Sequence, residues 1–134
     1  MKKQKDYTKD ELHESVKLIR DSNIKDSIKK ELFNTLIWKI SEINGKYDGV
    51  EMWSKESIKF KGQKNLYGKE LRHDHVVTRE SLIRDLLDSN KNINDILNKI
   101  KACIVTKEEH DRLNKVNKDI NDWDRYKEAK IDFM

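Results

Sequence analysis

The sequence predicts a mainly helical α+β fold, in which an N-terminal antiparallel helical hairpin is followed by a helical region with a small two-stranded β element. Apolar residues recur every three or four positions over most of the chain, and proline, which interrupts helices, is absent. Only two short segments, 71–77 and 102–105, have the alternating or β-branched character of strands. With 134 residues, of which 40% are charged and 35% apolar, the chain has the length of one compact domain.

The helical hairpin is predicted to span residues 1–45. Thr8 and Glu11 have the spacing of a capping box, and Asn23 is expected to cap the second helix. Gly45 follows the last periodic residue, where a left-handed C-terminal cap favours glycine. The expected apolar stripe of the second helix is Ile24, Ile28, Leu32, Leu36, Ile40 and Ile43, widened by Phe33 and Ile37.

Residues 46–134 are predicted to form a mixed, mainly helical region that packs with the hairpin. Thr78 and Asn92 are expected to cap two short helices in this region. Thr106 and Glu109 form a second capping box, directly after the strand 102–105. This strand is the best partner for the strand 71–77, and the two together make the β element.

The composition predicts a cytoplasmic protein that does not associate with membranes. No stretch approaches the ~20 apolar residues that a bilayer requires, and no apolar segment follows the basic N-terminus. A single cysteine, Cys103, excludes a disulfide framework and is expected to be a buried structural thiol. Lys, Ile and Asn, whose codons are rich in A and T, are abundant, which favours a bacterial or phage genome of that base composition.

The net charge of +4 permits contact with nucleic acid without requiring it. The positive charge is concentrated between residues 55 and 72, in a segment that also holds aromatic residues and glycines. Such a segment can bind phosphates and stack on a base, or it can be a solvated loop whose lysines keep it soluble. The candidate nucleic-acid-binding residues are Lys55, Lys59, Lys61, Lys64, Lys69 and Arg72.

Two segments carry the residues best suited to catalysis. In the first, Asp74 and His75 end the strand 71–77; in the second, His110 lies in the first turn of the helix after the strand 102–105. This order resembles the HNH (ββα-metal) endonucleases over residues 71–115. The resemblance implies that Asp74 and His110 hold Mg²⁺ or Mn²⁺ and that His75 activates a water molecule. The chain departs from the family at Thr78, where a proline is usual, and it has no clear match to the middle asparagine.

Large aromatic side chains near the C-terminus and in the segment 46–69, which has no regular apolar pattern, are candidates for contact with a partner protein. Trp, Tyr and Arg are the usual anchors of protein interfaces, although each of these residues can instead belong to the core, as is expected of Trp38. The candidate partner-binding residues are Trp53, Trp123, Arg125 and Tyr126. A homodimer through the wide apolar stripe of the hairpin is a further possibility.

Because the catalytic residues are incomplete, the sequence favours a small non-enzymatic binding or regulatory protein over an enzyme. The expected setting is a phage or mobile element, with a target among the machinery that handles nucleic acid, as for an anti-CRISPR-like inhibitor. The first alternative is an HNH-like metal-dependent nuclease, and the second is a nucleic-acid-binding module. No cofactor is expected unless the nuclease hypothesis holds.

Overall fold

The computed structural model describes residues 6–133, and it confirms the α+β class. This part of the chain contains six helices and one three-stranded sheet. The helices are α1 (Lys9–Asp21), α2 (Asp26–Ser41), α3 (Arg79–Leu86), α4 (Ile93–Leu97), α5 (Lys107–Asn114) and α6 (Asp122–Glu128). The strands are β1 (Met52–Trp53), β2 (Leu71–His75) and β3 (Ala102–Thr106). The basic residues 1–5, on which the prediction of no N-terminal apolar segment depends, lie outside the described residues.

Side-chain caps begin four helices at the residues where the sequence places them. Thr8 accepts a hydrogen bond from the backbone of Glu11 at the start of α1, and Thr106 does the same for Glu109 at the start of α5. Both capping boxes are complete, since each glutamate accepts in return from its threonine's backbone amide. Thr78 and Asn92 cap α3 and α4. These local hydrogen bonds set where β2 and β3 give way to the helices that follow them.

Helix α2 differs from its prediction in both its start and its buried face. It begins at Asp26 after Lys25, which makes no side-chain cap, and the predicted cap at Asn23 is wrong. The buried residues of the helix are Phe33, Ile37, Ile40 and the partly aliphatic Lys29. In contrast, Ile28 is 50% exposed, and Ile24 and Leu32 are exposed as well, so the first half of the predicted stripe lies outside the core.

The sheet has the order β1-β3-β2 and therefore one strand more than predicted. Strands β2 and β3 pair with each other, as the sequence predicts, and the structure makes them antiparallel with Asp74 opposite Cys103. The additional strand β1 runs parallel to β3 through only two residue pairs, Met52 with Cys103 and Trp53 with Ile104. A two-residue strand has no periodicity of its own, which explains why the sequence does not reveal it.

The hairpin packs onto the rest of the chain through an apolar cluster that both contribute to. Helices α1 and α2 run antiparallel. Lys29 near the start of α2 therefore lies beside the end of α1 and donates to the carbonyl of Arg20. The two helices share one apolar cluster with α3, α4 and Ile100. A second cluster lies between the sheet, α5 and α6, and a third surrounds Trp53. No helix among the described residues is long and apolar enough to cross a membrane.

Candidate functional site

A cavity of about 1040 Å³ lies beside β2, between α2, α3 and the first turns of α5. Its lining is strongly basic: six cationic side chains face only two carboxylates, those of Asp74 and Glu80. The cationic residues are Lys30, Lys46, Arg72, Arg79, Arg84 and Arg125. The predicted site residues Asp74, His75 and His110 also line this cavity. The volume suits a small organic ligand, since ligand-binding cavities span about 300–1,000 Å³.

Asp74 is 5% exposed and is held by a network of charged hydrogen bonds. The guanidinium of Arg125 donates to both carboxylate oxygens, from Nη1 to Oδ2 at 2.9 Å and from Nη2 to Oδ1 at 3.2 Å. Tyr126 donates its hydroxyl proton to Oδ2, and burial together with the charge of Asp74 raises the pKa of this phenol well above its usual value. Arg125 Nη1 also donates to the carbonyl of His75 at 3.2 Å, which fixes the guanidinium at the end of β2.

The structure brings two of the three predicted catalytic residues together. His110 Nε2 lies 3.8 Å from Asp74 Oδ1, because the strand–strand–helix order places the first turn of α5 over the end of β2. His75 follows Asp74 in the strand, so its side chain points to the opposite face, where Nε2 lies 2.9 Å from the hydroxyl of Ser41. The metal-ligand candidates Asp74 and His110 and the base candidate His75 therefore line one cavity. Asp74 and His75, however, project from opposite faces of β2.

The donors around Asp74 do not fit a divalent cation in this arrangement. Arg125 and Tyr126 already occupy both carboxylate oxygens, and a metal ion would compete with a bidentate cation for them. Among the described residues, no group of three His, Cys, Asp or Glu side chains has the geometry to hold a metal ion. Asn114 also lines the cavity, and its amide Nδ2 lies 3.5 Å from His110 Nδ1.

His73 and His75 lie on the face of β2 that packs against α2. Burial lowers the pKa of His73 to about 4, with a further contribution from the charge of Lys46. Burial, together with the neighbouring His73 and Arg79, lowers the pKa of His75 to about 3. Both imidazoles are consequently neutral at pH 7. A general base works best with a pKa near the working pH, so His75 is a weak base in this environment.

Trp38 forms one wall of the cavity, although the sequence assigned it to the core. Its ring is half-buried and lies 4.5 Å from the ring of His75, edge to face. Two cations lie over the indole, Lys46 with Nζ 5.0 Å and Arg79 with Cζ 4.9 Å from the ring centroid. Arg79 also donates to Asn34 Oδ1 at 2.6 Å. The tryptophan thus orders two of the cations that give the cavity its charge.

Three of the four residues considered as partner anchors are buried, which places them in the alternative that the sequence left open, the core. Trp53 is 3% exposed and donates its indole N–H to the carbonyl of Val50. Arg125 and Tyr126 are buried around Asp74. Trp123 is half-buried, with its ring 4.7 Å from that of Phe133, so it packs the C-terminal segment onto the body of the protein.

The basic segment between residues 55 and 72 is a surface loop with two short 3-10 helices, Ser57–Phe60 and Lys64–Leu66. Its five lysines are exposed, and only Arg72 contributes to the cavity. Lys59 pairs with Glu56 at 3.0 Å. Arg72 is directed toward the loop, where it donates to the carbonyls of Gly68 and Lys69. The candidate residues therefore form a dispersed exposed surface and one cavity residue. The exposed set is Lys55, Lys59, Lys61, Lys64 and Lys69.

Sequence reasoning missed most of the cations that line the cavity. One signal was available in α2, where Lys30, Asn34 and Trp38 follow each other at intervals of four residues and so share a helix face. The contributions of Arg79 and Arg84 were not visible, because only the packing of α3 against α2 turns them toward this face. Arg125 was singled out, but for a docking surface and not for contact with Asp74.

We compared the chain with models of known protein families, with curated proteins and with solved structures, and none of them matches it.

Proposed function

We propose that this is a non-enzymatic binding protein that holds phosphate groups of nucleic acid in the basic cavity beside β2. The observation that carries the proposal is the charge of the cavity: six cations face two carboxylates, and Arg125 already neutralises one of these. Within the described residues, Arg72, Arg79 and Arg84 have no carboxylate within 4.0 Å, so their charge is not neutralised by an ion pair. Guanidinium groups match the geometry of phosphate oxygens in two-point contacts.

The setting favoured by the sequence completes the proposal. A protein of a phage or mobile element with this cavity would regulate machinery that handles nucleic acid by occupying its substrate or its substrate-binding surface. An anti-CRISPR-like inhibitor is one protein of this kind. To test this role, the present protein is expressed in cells that carry a CRISPR system, and a phage targeted by that system is plated on them. Restored plating supports the inhibitor role, and unchanged plating refutes it.

The binding proposal is tested by fluorescence anisotropy with a labelled single-stranded oligonucleotide over a series of salt concentrations. We expect log Kd to rise linearly with log salt, with a slope of roughly 0.7 for each phosphate contacted. The double variant Arg79→Ala/Arg84→Ala should weaken binding at least tenfold and flatten the slope by roughly 0.7 for each lost contact.

The matched control is Lys55→Ala/Lys64→Ala, which removes the same charge from the exposed loop outside the cavity. It should leave the affinity within about twofold. If the lysine variant loses binding and the arginine variant retains it, the loop and not the cavity binds nucleic acid. If wild-type protein binds no oligonucleotide at low salt, the proposal is wrong.

An HNH-like metal-dependent nuclease is the second candidate, favoured by the 3.8 Å approach of His110 to Asp74 in a strand–strand–helix unit. A bound Mg²⁺ or Mn²⁺ would stabilise charge on a scissile phosphate. For Asp74 to serve as a ligand, it must first exchange its hydrogen bonds with Arg125. Supercoiled plasmid incubated with either metal separates the two candidates. Nicking that His75→Ala abolishes establishes the nuclease, and intact plasmid after long incubation excludes it.

A further inference from the structure

His73 is a buried polar side chain whose hydrogen-bonding capacity is unused. It is 7% exposed, it lines the cavity, and neither ring nitrogen has a hydrogen-bond partner among the described residues. The carbonyl of Ser41 favours the charged ring without reaching hydrogen-bond geometry. A buried polar atom without a partner costs about 1–3 kcal/mol, and such atoms in native proteins call for an explanation.

The surroundings of His73 define what a partner must look like. The ring lies 5.2 Å from that of Trp38 and 5.2 Å from that of His75, so aromatic walls enclose it on the strand side and the α2 side. The neutral imidazole offers one donor and one acceptor. The cations Lys46 and Arg79 flank the same wall of the cavity. A complementary ligand therefore carries an anionic group beside a neutral group that both donates and accepts hydrogen bonds.

We infer that His73 contacts the hydrogen-bonding edge of an unpaired nucleotide, and that the cavity consequently selects single-stranded over duplex nucleic acid. A nucleotide joins a phosphate to a base whose edge has adjacent donors and acceptors, which matches the two kinds of group in the cavity. Inside a duplex the pairing edge of the base is occupied. A base can reach a side chain that is 7% exposed only by leaving the stack, which costs a few kcal/mol in a duplex and little in a single strand.

This inference rests on the proposed binding of nucleic-acid phosphate, and it adds the selection for unpaired nucleotides and the residue responsible. The substitution His73→Phe keeps a ring of similar shape and removes both hydrogen-bonding atoms. His73→Asn keeps a donor and an acceptor on a smaller side chain. The matched control is His13→Phe: His13 Nε2 is also buried without a partner among the described residues, but His13 lies in α1 and does not line the cavity.

The experiment measures fluorescence anisotropy of one labelled 12-nucleotide DNA, which is either single-stranded or annealed to its complement. Wild-type protein and the three variants are titrated into each form. We expect wild type to favour the single strand at least tenfold. His73→Phe should lose most of this preference through weaker binding of the single strand, His73→Asn should retain part of it, and His13→Phe should behave as wild type. Thermal melting accompanies each titration, and His73→Phe is expected to melt no lower than wild type because the wild-type ring atoms have no partners to lose.

The outcomes separate the inference from the function on which it rests. If wild type binds neither form of the oligonucleotide, both are wrong. If wild type binds and His73→Phe keeps the full preference for the single strand, or if duplex binds equally well, the inference alone is overturned. If the inference holds, competition with adenosine monophosphate shows whether the site binds free nucleotides or nucleotides within a strand. Displacement at concentrations comparable with the oligonucleotide assigns the site to free nucleotides, and failure to displace assigns it to nucleotides within a strand.

Discussion

Replacing Arg125 by methionine tests whether the network around Asp74 stabilises the fold. The two side chains are 6% and 5% exposed, and two hydrogen bonds of 2.9 and 3.2 Å join them. Methionine fills much of the volume of the arginine stem but leaves the carboxylate buried with Tyr126 as its remaining close donor. The substitution therefore removes a counter-charge from a carboxylate that is more than nine-tenths buried, and this effect dominates over any loss of packing.

The expected loss of stability is about 3–5 kcal/mol, the usual cost of leaving one member of a buried ion pair without its partner. With a denaturant slope of about 2 kcal/mol per molar urea for a chain of this size, the unfolding midpoint should fall by about 1.5–2.5 M. The control is Lys59→Met, which breaks an ion pair of similar separation, 3.0 Å, whose side chains are 61% and 58% exposed. Solvent screens such a pair, so the control should change stability by less than about 1 kcal/mol.

Urea titrations followed by tryptophan fluorescence and by far-UV circular dichroism provide the measurement, with agreement of the two signals as the check on two-state unfolding. The double variant Asp74→Asn/Arg125→Met should lose less than the sum of the two single variants, because it removes the stranded charge. A loss below about 1 kcal/mol for Arg125→Met, or strictly additive losses in the double variant, would refute the interpretation of a structural ion pair.

Three further predictions concern stability. The pKa values of about 4 for His73 and about 3 for His75 lie below the unfolded value of 6.5, so their contribution is complete above pH 6.5 and is lost as the pH falls toward 4. Unfolding at pH 5 should cost about 2 kcal/mol less per histidine than at pH 7, and a flat stability profile for wild type would contradict this. Phe33→Ala should destabilise by about 3–5 kcal/mol and Leu32→Ala by less than about 1, since the first is buried and the second exposed; the reverse order in urea titrations would contradict the buried face described above. Thr106→Ala should cost about 1 kcal/mol by removing the cap of α5, and Thr106→Ser should recover most of it.

The features predicted correctly from sequence are those set by neighbours in the chain. Thr106 and Glu109 form their capping box within four residues, so the pattern and its structural cause occupy the same short window. The pairing of β2 with β3 follows from the sequence because each strand has its own β-forming pattern, whereas their antiparallel orientation is seen only in the structure.

Helix α2 shows why a predicted apolar stripe can be only partly buried. Ile24, Ile28 and Leu32 recur every four residues and, taken alone, mark a face as well as the buried residues do. Of the predicted stripe the structure buries Phe33, Ile37 and Ile40 and leaves those three exposed, because Phe33 lies one residue, or about 100°, around the helix from Leu32. The buried residues of α2 are selected by helices α1, α3 and α4, which pack against it. No segment within α2 contains that information.

The same limit governs the reading of Asp74, and it changes the chemistry expected there. Beside His75 in the sequence, Asp74 resembles a metal ligand of a nuclease; its bidentate partner Arg125 lies 51 residues away and carries no local sign of the pairing. A carboxylate that would attract a cation is thereby converted into a group that positions one. Arg125 is held by Asp74 and by the carbonyl of His75, and its guanidinium adds to the positive charge of the cavity wall. Because Arg125 already neutralises Asp74, we expect the cavity to attract phosphate more readily than a metal ion, and this expectation is the physical reason for proposing binding ahead of catalysis.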